Sequence, residues 1–399
     1  MKPALLALAI LTTLACADPA AIDWERARDL HRRVSNGEKL SPEDQKYYEE
    51  AKRQHDAGRG PTSPGAVPES SAGMQRAKEI HDRKQAGKSV TPEEEEFLAG
   101  MMRKHAGGGG GSPARPGATA ELPKDMVPLT ELKGEYHGQD GGLYGGGRNE
   151  PPRDLDARAK AAVAQVQPLG PDGKPAKDGR IVMVSLGMSN TTQEFSTFKR
   201  IADADSRKAG DLVIVDCAQG GRTAQVWAQN DQPWQEAVRR IEAAGVKPAQ
   251  VQVMWLKQAN AGPGGGFPAA TDKLRDDIRT DLKRARETYP NLRLVFLSSR
   301  TYAGYATVGL NPEPYAYEGA FAVREVIRTQ PASGPVLLWG PYLWTDGEKG
   351  RALDDLKWKR EDCGPDGTHP SQSGRQKVAG LLLSFFTSNT HAKPWFTAH

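Results

Sequence analysis

The sequence predicts an α/β fold, a three-layer α/β/α sandwich with a five-stranded parallel sheet, and three observations carry that prediction. Five short runs of β-branched and apolar residues follow one another: Arg180–Leu186, Asp211–Asp216, Gln250–Leu256, Leu292–Leu297 and Pro335–Trp339. Runs of this length without strict alternation suit strands buried on both faces. Segments of helical length separate them, among them Gln232–Ala244 and Thr271–Thr288, and strand–helix alternation means a parallel sheet covered by helices. The residues just after the runs include a serine, paired glycines, an asparagine and an Asp-x-x-His. Parallel sheets bind ligands at that edge.

The elements before the sheet are of a different kind. Met1-Lys2, the apolar run Ala4–Leu11 and the small-x-small Ala15-Cys16-Ala17 have the layout of a secretory signal peptide over residues 1–17. The run is too short to span a bilayer, and no later stretch is apolar enough to do so. The chain is therefore expected to be secreted or periplasmic, with lipid attachment at Cys16 as the less favoured alternative. Export leaves Cys217 and Cys363, which either pair in an oxidising compartment or remain two separate thiols.

A duplication follows at an offset of 50 residues: Arg26-Ala-Arg-Asp-Leu-His31 returns as Arg76-Ala-Lys-Glu-Ile-His81, and Ser41-Pro-Glu-Asp44 as Thr91-Pro-Glu-Glu94. A constant offset marks a repeat. Each copy, 18–57 and 74–106, reads as a helical hairpin. Trp24, Ala27, Leu30 and Val34 lie at helical spacing, and Ser41 and Thr91 cap the second helices ahead of a first-turn proline. The repeat histidines have no cysteine or carboxylate cluster beside them, so no metal is assigned. The repeats are read as attachment or spacing modules meeting an envelope component or a protein. Gly/Pro-rich linkers, 58–73 and 107–121, flank the second copy, and the α/β domain is assigned to 122–399. The net charge of +4, with both signs interleaved, gives no nucleic-acid footprint.

The strand ends carry the chemistry. The first run leads into Gly187-Met188-Ser189-Asn190, the second into Cys217-Ala-Gln-Gly220-Gly221-Arg222, and the third into Lys257-Gln258-Ala259-Asn260. Asp366-Gly-Thr-His369 follows the fifth. In order and context these residues resemble the SGNH (GDSL-like) serine hydrolase superfamily, over roughly Arg180 to the C-terminus by pattern. The resemblance implies a flavodoxin-like sheet of order 2-1-3-4-5 and hydrolysis of esters. It makes Ser189 the nucleophile, His369 the base and Asp366 its orienting acid, with Ser189, Gly221 and Asn260 as oxyanion donors. Met188 stands where the family usually has aspartate, and Ala259 and Ala261 flank Asn260 where glycine and aspartate are usual. The Gly-x-Ser-Asn start is nearer the carbohydrate O-acetylesterase-like branch.

The residues support the same roles without the name. A serine hydroxyl needs a base during attack, a histidine suits that task, and of the histidines in the chain only His369 follows a strand of the α/β region. Asn190, Arg222 and Arg300 are candidate substrate contacts, and Tyr315, Tyr317 and Glu318 are read as lining an adjacent loop. No cofactor is assigned, and the Gly-rich Gly141–Gly147 lacks the strand–helix context of a phosphate loop. The predicted function is an exported serine esterase cleaving an O-acyl ester, O-acetyl included, of a small molecule or carbohydrate. The alternatives are a non-catalytic carbohydrate- or envelope-binding protein on a degenerate hydrolase fold, or an acyltransferase.

Overall fold

The computed structural model describes residues 126–398 and 40–56, together with Arg26, Ala27, Leu30, Glu79, Ile80 and Arg83. The expected leader with Cys16, both expected linkers, Thr91, the repeat-histidine side chains and Leu122 lie outside the described residues. The chain divides into two compact units, Met1–Lys104 and His105–His399. In the first, helix α1 spans Pro42–Asp56. Ser41 Oγ accepts the Asp44 N–H at 3.1 Å, which satisfies one of the amides that a helix start leaves bare.

The second unit is built on one sheet. A short antiparallel hairpin, β1 (Glu135–Tyr136) and β2 (Gln139–Asp140), and helix α2 (Arg153–Val163) precede it. Then come β3 (Ile181–Gly187), α3 (Ser189–Asp203), β4 (Leu212–Val215), α4 (Ala224–Gln229), α5 (Gln232–Ala243) and β5 (Val251–Lys257). Helix α6 (Ala269–Thr288), β6 (Leu294–Ser298), α7 (Tyr315–Arg328), β7 (Val336–Trp339), α8 (Gln372–Ser388) and α9 (Lys393–Phe396) complete it. The five long-range strands pair in the order β4-β3-β5-β6-β7, and every pairing is parallel. Each strand begins one or two residues later than the sequence pattern suggested.

Burial on both faces explains the apolar runs. All seven residues of β3 and of β5 are buried. On one face Trp255 of β5 stacks on Phe195 of α3 at 5.6 Å between centroids, and Phe198 of α3 meets Phe386 of α8 at 5.5 Å. Each such side chain contributes about 1.5–3 kcal/mol of burial. On the other face α4, α6 and α7 pack together, with Trp227 and Trp234 edge to face at 4.9 Å. The Gly141–Gly147 segment covers the end of β7: Trp339 donates its indole N–H to the Leu143 carbonyl at 2.6 Å. No helix among the described residues is long and apolar enough to cross a membrane.

Candidate active site

The last residue of β3 is Gly187. Met188, in extended conformation, is the N-cap of α3, and Ser189 is its first residue. The turn from strand to helix leaves Ser189 part-exposed at the carboxyl edge of the sheet. Its Oγ lies 2.8 Å from His369 Nε2, and His369 Nδ1 lies 2.5 Å from Asp366 Oδ2. The second oxygen of Asp366 accepts the backbone N–H groups of Thr368 and His369, each at 3.0 Å. Burial pushes the Asp366 carboxyl up, but the hydrogen bonds from the His369 ring and the two amides outweigh it and hold the group at about 2. An ionised Asp366 can only accept, so Nδ1 carries the proton and Nε2 is left free to take one from Ser189.

The turn bearing His369 is held from several sides. The Gly364 N–H donates to the His369 carbonyl at 2.7 Å and the Thr307 N–H to the Asp366 carbonyl at 2.9 Å. Arg360 donates to the carbonyls of Gly364 and Pro365 at 2.8 and 2.9 Å. Gly367 has φ +65°, and a Cβ there would fall 1.7 Å from the Tyr305 carbonyl oxygen. Gly367→Ala is therefore expected to displace the turn, at a cost of about 1–3 kcal/mol from backbone strain alone. A thermal melt should show the loss.

Opposite the histidine are the candidate oxyanion donors. Gly221, with φ +72°, sits in a tight turn closed by the Arg222 N–H on the Gln219 carbonyl at 3.2 Å. Among the described residues no hydrogen bond engages the N–H of Ser189 or of Gly221. Asn260 follows β5 and is fixed at both ends of its amide. Oδ1 accepts the Gln225 N–H at 2.9 Å, and Nδ2 donates to Asp277 Oδ2 at 2.6 Å. That leaves the second Nδ2 hydrogen for another acceptor. A backbone hydrogen bond joins Asn260 to the Tyr315 hydroxyl.

Asp216, at the end of β4, anchors the loop that leads to Gly221. Its oxygens take the hydroxyls of Ser185 at 2.5 Å and Thr192 at 2.6 Å. Burial raises its carboxyl to about 6, with the two hydroxyls and Arg240 only partly opposing the rise. The folded state thus holds this proton more tightly than the unfolded chain. The resulting stabilisation is full below about pH 4 and is lost as the pH climbs through 6, on the order of 3 kcal/mol. Melting temperatures from pH 4 to 7 should show this fall in the wild type, and Asp216→Asn should lack that component.

The structure brings Ser189, Asp366 and His369 together but corrects the expected substrate contacts. Asn190 is buried and donates to the Thr368 carbonyl at 2.7 Å. Arg300 is buried too, with Nε on Asn311 Oδ1 at 2.8 Å. Both point inward because the helix start and the strand end that carry them lie under the histidine turn. Arg222 stays part-exposed beside Gly221 and donates to Gln232 at 3.0 Å. Tyr315, Tyr317 and Glu318 begin α7 and are buried in it instead of lining a loop. The pairing of Cys217 with Cys363 is not formed. Both are free thiols, Cys217 buried beneath α5 with its Sγ 3.7 Å from the Ala237 carbonyl, and Cys363 half-buried at the base of the histidine turn. Asp277, Asn311 and Thr307 were not singled out in the sequence, since each is an ordinary helix-surface or loop residue until the chain is folded.

Counted along its five strands the sheet order is 2-1-3-4-5, which with the two covering layers makes a flavodoxin-like α/β/α sandwich. No protein-family model matches the chain, and no curated protein does. Among solved structures the chain is similar to a GDSL-like lipase from Bacteroides thetaiotaomicron, at 12% identity and a TM-score of 0.32, over 58% of this chain and 96% of that one. It is similar also to the periplasmic domain of a lipopolysaccharide acetyltransferase from Salmonella ser. Paratyphi A, at 14% identity and a TM-score of 0.31, over 58% and 96%. A third is a protein from Bacteroides fragilis assigned to the acylhydrolases, at 13% identity and a TM-score of 0.33, over 59% and 96%.

Proposed function

We propose that the chain is a serine esterase that cleaves an O-acyl ester through an acyl-enzyme on Ser189. The observation that supports this reading is the line Ser189 Oγ–His369 Nε2 at 2.8 Å and His369 Nδ1–Asp366 at 2.5 Å. In the first step Ser189 Oγ attacks the acyl carbon while Nε2 takes its proton, and Asp366 stabilises the imidazolium so formed. The carbonyl oxygen gains the charge and meets the N–H groups of Ser189 and Gly221 and the Nδ2 of Asn260. Collapse breaks the ester C–O bond, and His369 returns the proton to the leaving alcohol. Water then repeats the sequence on the acyl-enzyme, with the same histidine as base. The leader pattern at residues 1–17 supports export, and the Gly-x-Ser-Asn start supports an acetylated carbohydrate as substrate. The repeats would serve attachment or spacing.

Hydrolysis of a small aryl acetate by the full chain, with a fluorophosphonate probe and mass analysis of the labelled peptide, tests the reading. Turnover together with one adduct on Ser189 is the expected result. No turnover, or an adduct elsewhere, would overturn it. Transfer to an added sugar alcohol in preference to water would reassign the chain as an acyltransferase using the same nucleophile.

A further inference from the structure

We infer that Arg300 and Asn311 form a buried strut that sets the spacing between Asn260 and the histidine turn, and so act as positioning residues for the esterase reaction. The inference rests on the proposed hydrolysis at Ser189. Four hydrogen bonds make up the strut. Asn311 Nδ2 donates to the main-chain carbonyl of Asn260 at 3.2 Å. Its Oδ1 accepts from Arg300 Nε at 2.8 Å. Arg300 Nη2 reaches the Thr368 carbonyl at 3.4 Å, and Asn190 Nδ2 donates to that same carbonyl at 2.7 Å. The path therefore runs from the oxyanion-side asparagine to the residue before His369 and on to the residue after Ser189.

Every side chain on this path is buried: Arg300 is 2% exposed, Asn311 4% and Asn190 3%. Hydrogen bonds shielded from water are electrostatically stronger and hold geometry better than the same bonds at a surface. The guanidinium plane fixes the angle between its Nε and Nη2 contacts, which a lysine ammonium on a flexible stem cannot do. Arg300 is also an expensive residue to bury. Its Nη1 has no protein partner among the described residues, and burial works against its charge. A well-packed apolar side chain would ordinarily serve stability as well or better. All the ends of the path sit on site residues or their immediate neighbours, and a misplacement near 1 Å in a reacting constellation costs about 100-fold in rate. Geometry at the site is what this arrangement supplies.

Asn311→Asp and Arg300→Lys test it. Asn311→Asp keeps the acceptor for Arg300 but sets an oxygen against the Asn260 carbonyl. Arg300→Lys keeps the charge and loses the fork. With an aryl acetate, each variant is expected to lose about tenfold or more in kcat while KM stays within about twofold. The rate of phosphonylation at Ser189, taken well below each variant's melting transition, should fall in step. Folded variants with unchanged kcat and labelling rate would overturn the strut while leaving the hydrolase reading intact. Loss of fold in both variants would assign the pair to stability and overturn it as well. If wild type and Ser189→Ala hydrolyse the ester at one rate, the esterase reading itself fails and the strut falls with it.

Discussion

Ser189→Ala is expected to lower kcat on an aryl acetate by about 10⁴–10⁶-fold, the range set by removing the nucleophile of a serine triad. The substitution deletes only Oγ. His369 and Asp366 keep their 2.5 Å contact, and Gly221 and Asn260, the proposed oxyanion donors, stay in place. A residual rate above water should therefore survive, from oxyanion stabilisation without a nucleophile. Stability should hardly move. Ser189 occupies the first turn of α3, among the described residues its hydroxyl is hydrogen-bonded only to His369, and alanine is the better helix former. A melting temperature near that of the wild type would show that the lost activity is chemical. A variant as fast as the wild type would place the nucleophile elsewhere.

Asn260→Ala should cost about 10²–10³ in kcat, the usual effect of removing one oxyanion donor. KM should change little, because the donor acts on charge that develops after binding. This substitution also touches the fold. The Gln225 N–H loses its acceptor, while Asp277 Oδ2 keeps the hydrogen bond from Lys273 at 2.7 Å, and a lost hydrogen bond of this kind costs about 0.5–1.5 kcal/mol. Rates should accordingly be taken well below the melting transition. Asn260→Asp separates the two effects. It can still accept from Gln225, yet it offers the oxyanion no N–H and sets a carboxylate beside Asp277. Its kcat should be no better than that of the alanine variant. If Asn260→Asp matched the wild type, the donor role would have to pass to another group.

Much of this was legible before folding, because it depended on short-range pattern. Apolar runs of five to seven residues separated by helical segments specify a covered parallel sheet, and a parallel sheet presents its carboxyl ends at one edge. Ser189, Gly221, Asn260 and His369 could be picked out because each follows a strand or lies in the segment after the last. Asp366 came with His369, since an acid three residues ahead can turn back onto the ring. Asn190 and Arg300 were misread for a related reason: position after a strand tells which edge a residue occupies, but not whether its side chain turns outward. In both cases the backbone under the histidine turn offered the Thr368 carbonyl as a partner, and the side chains went inward.

By itself, then, the sequence determined the fold class, the edge of the sheet that carries the site, and the serine, histidine and aspartate that meet there. Hydrophobic period and residue order set these, and both are local. The tertiary structure alone decided what holds those groups in register: Asp277 on the Asn260 amide from a helix 17 residues on, Thr307 on the Asp366 carbonyl from 59 residues before it, and Arg300 with Asn311 between them. It also decided that Cys217 and Cys363 remain free thiols. Such contacts join residues that are not neighbours in the chain, and their partners are common polar side chains or a backbone carbonyl that every residue possesses. No residue type marks them in advance; they exist only once the sheet has brought its loops to one edge.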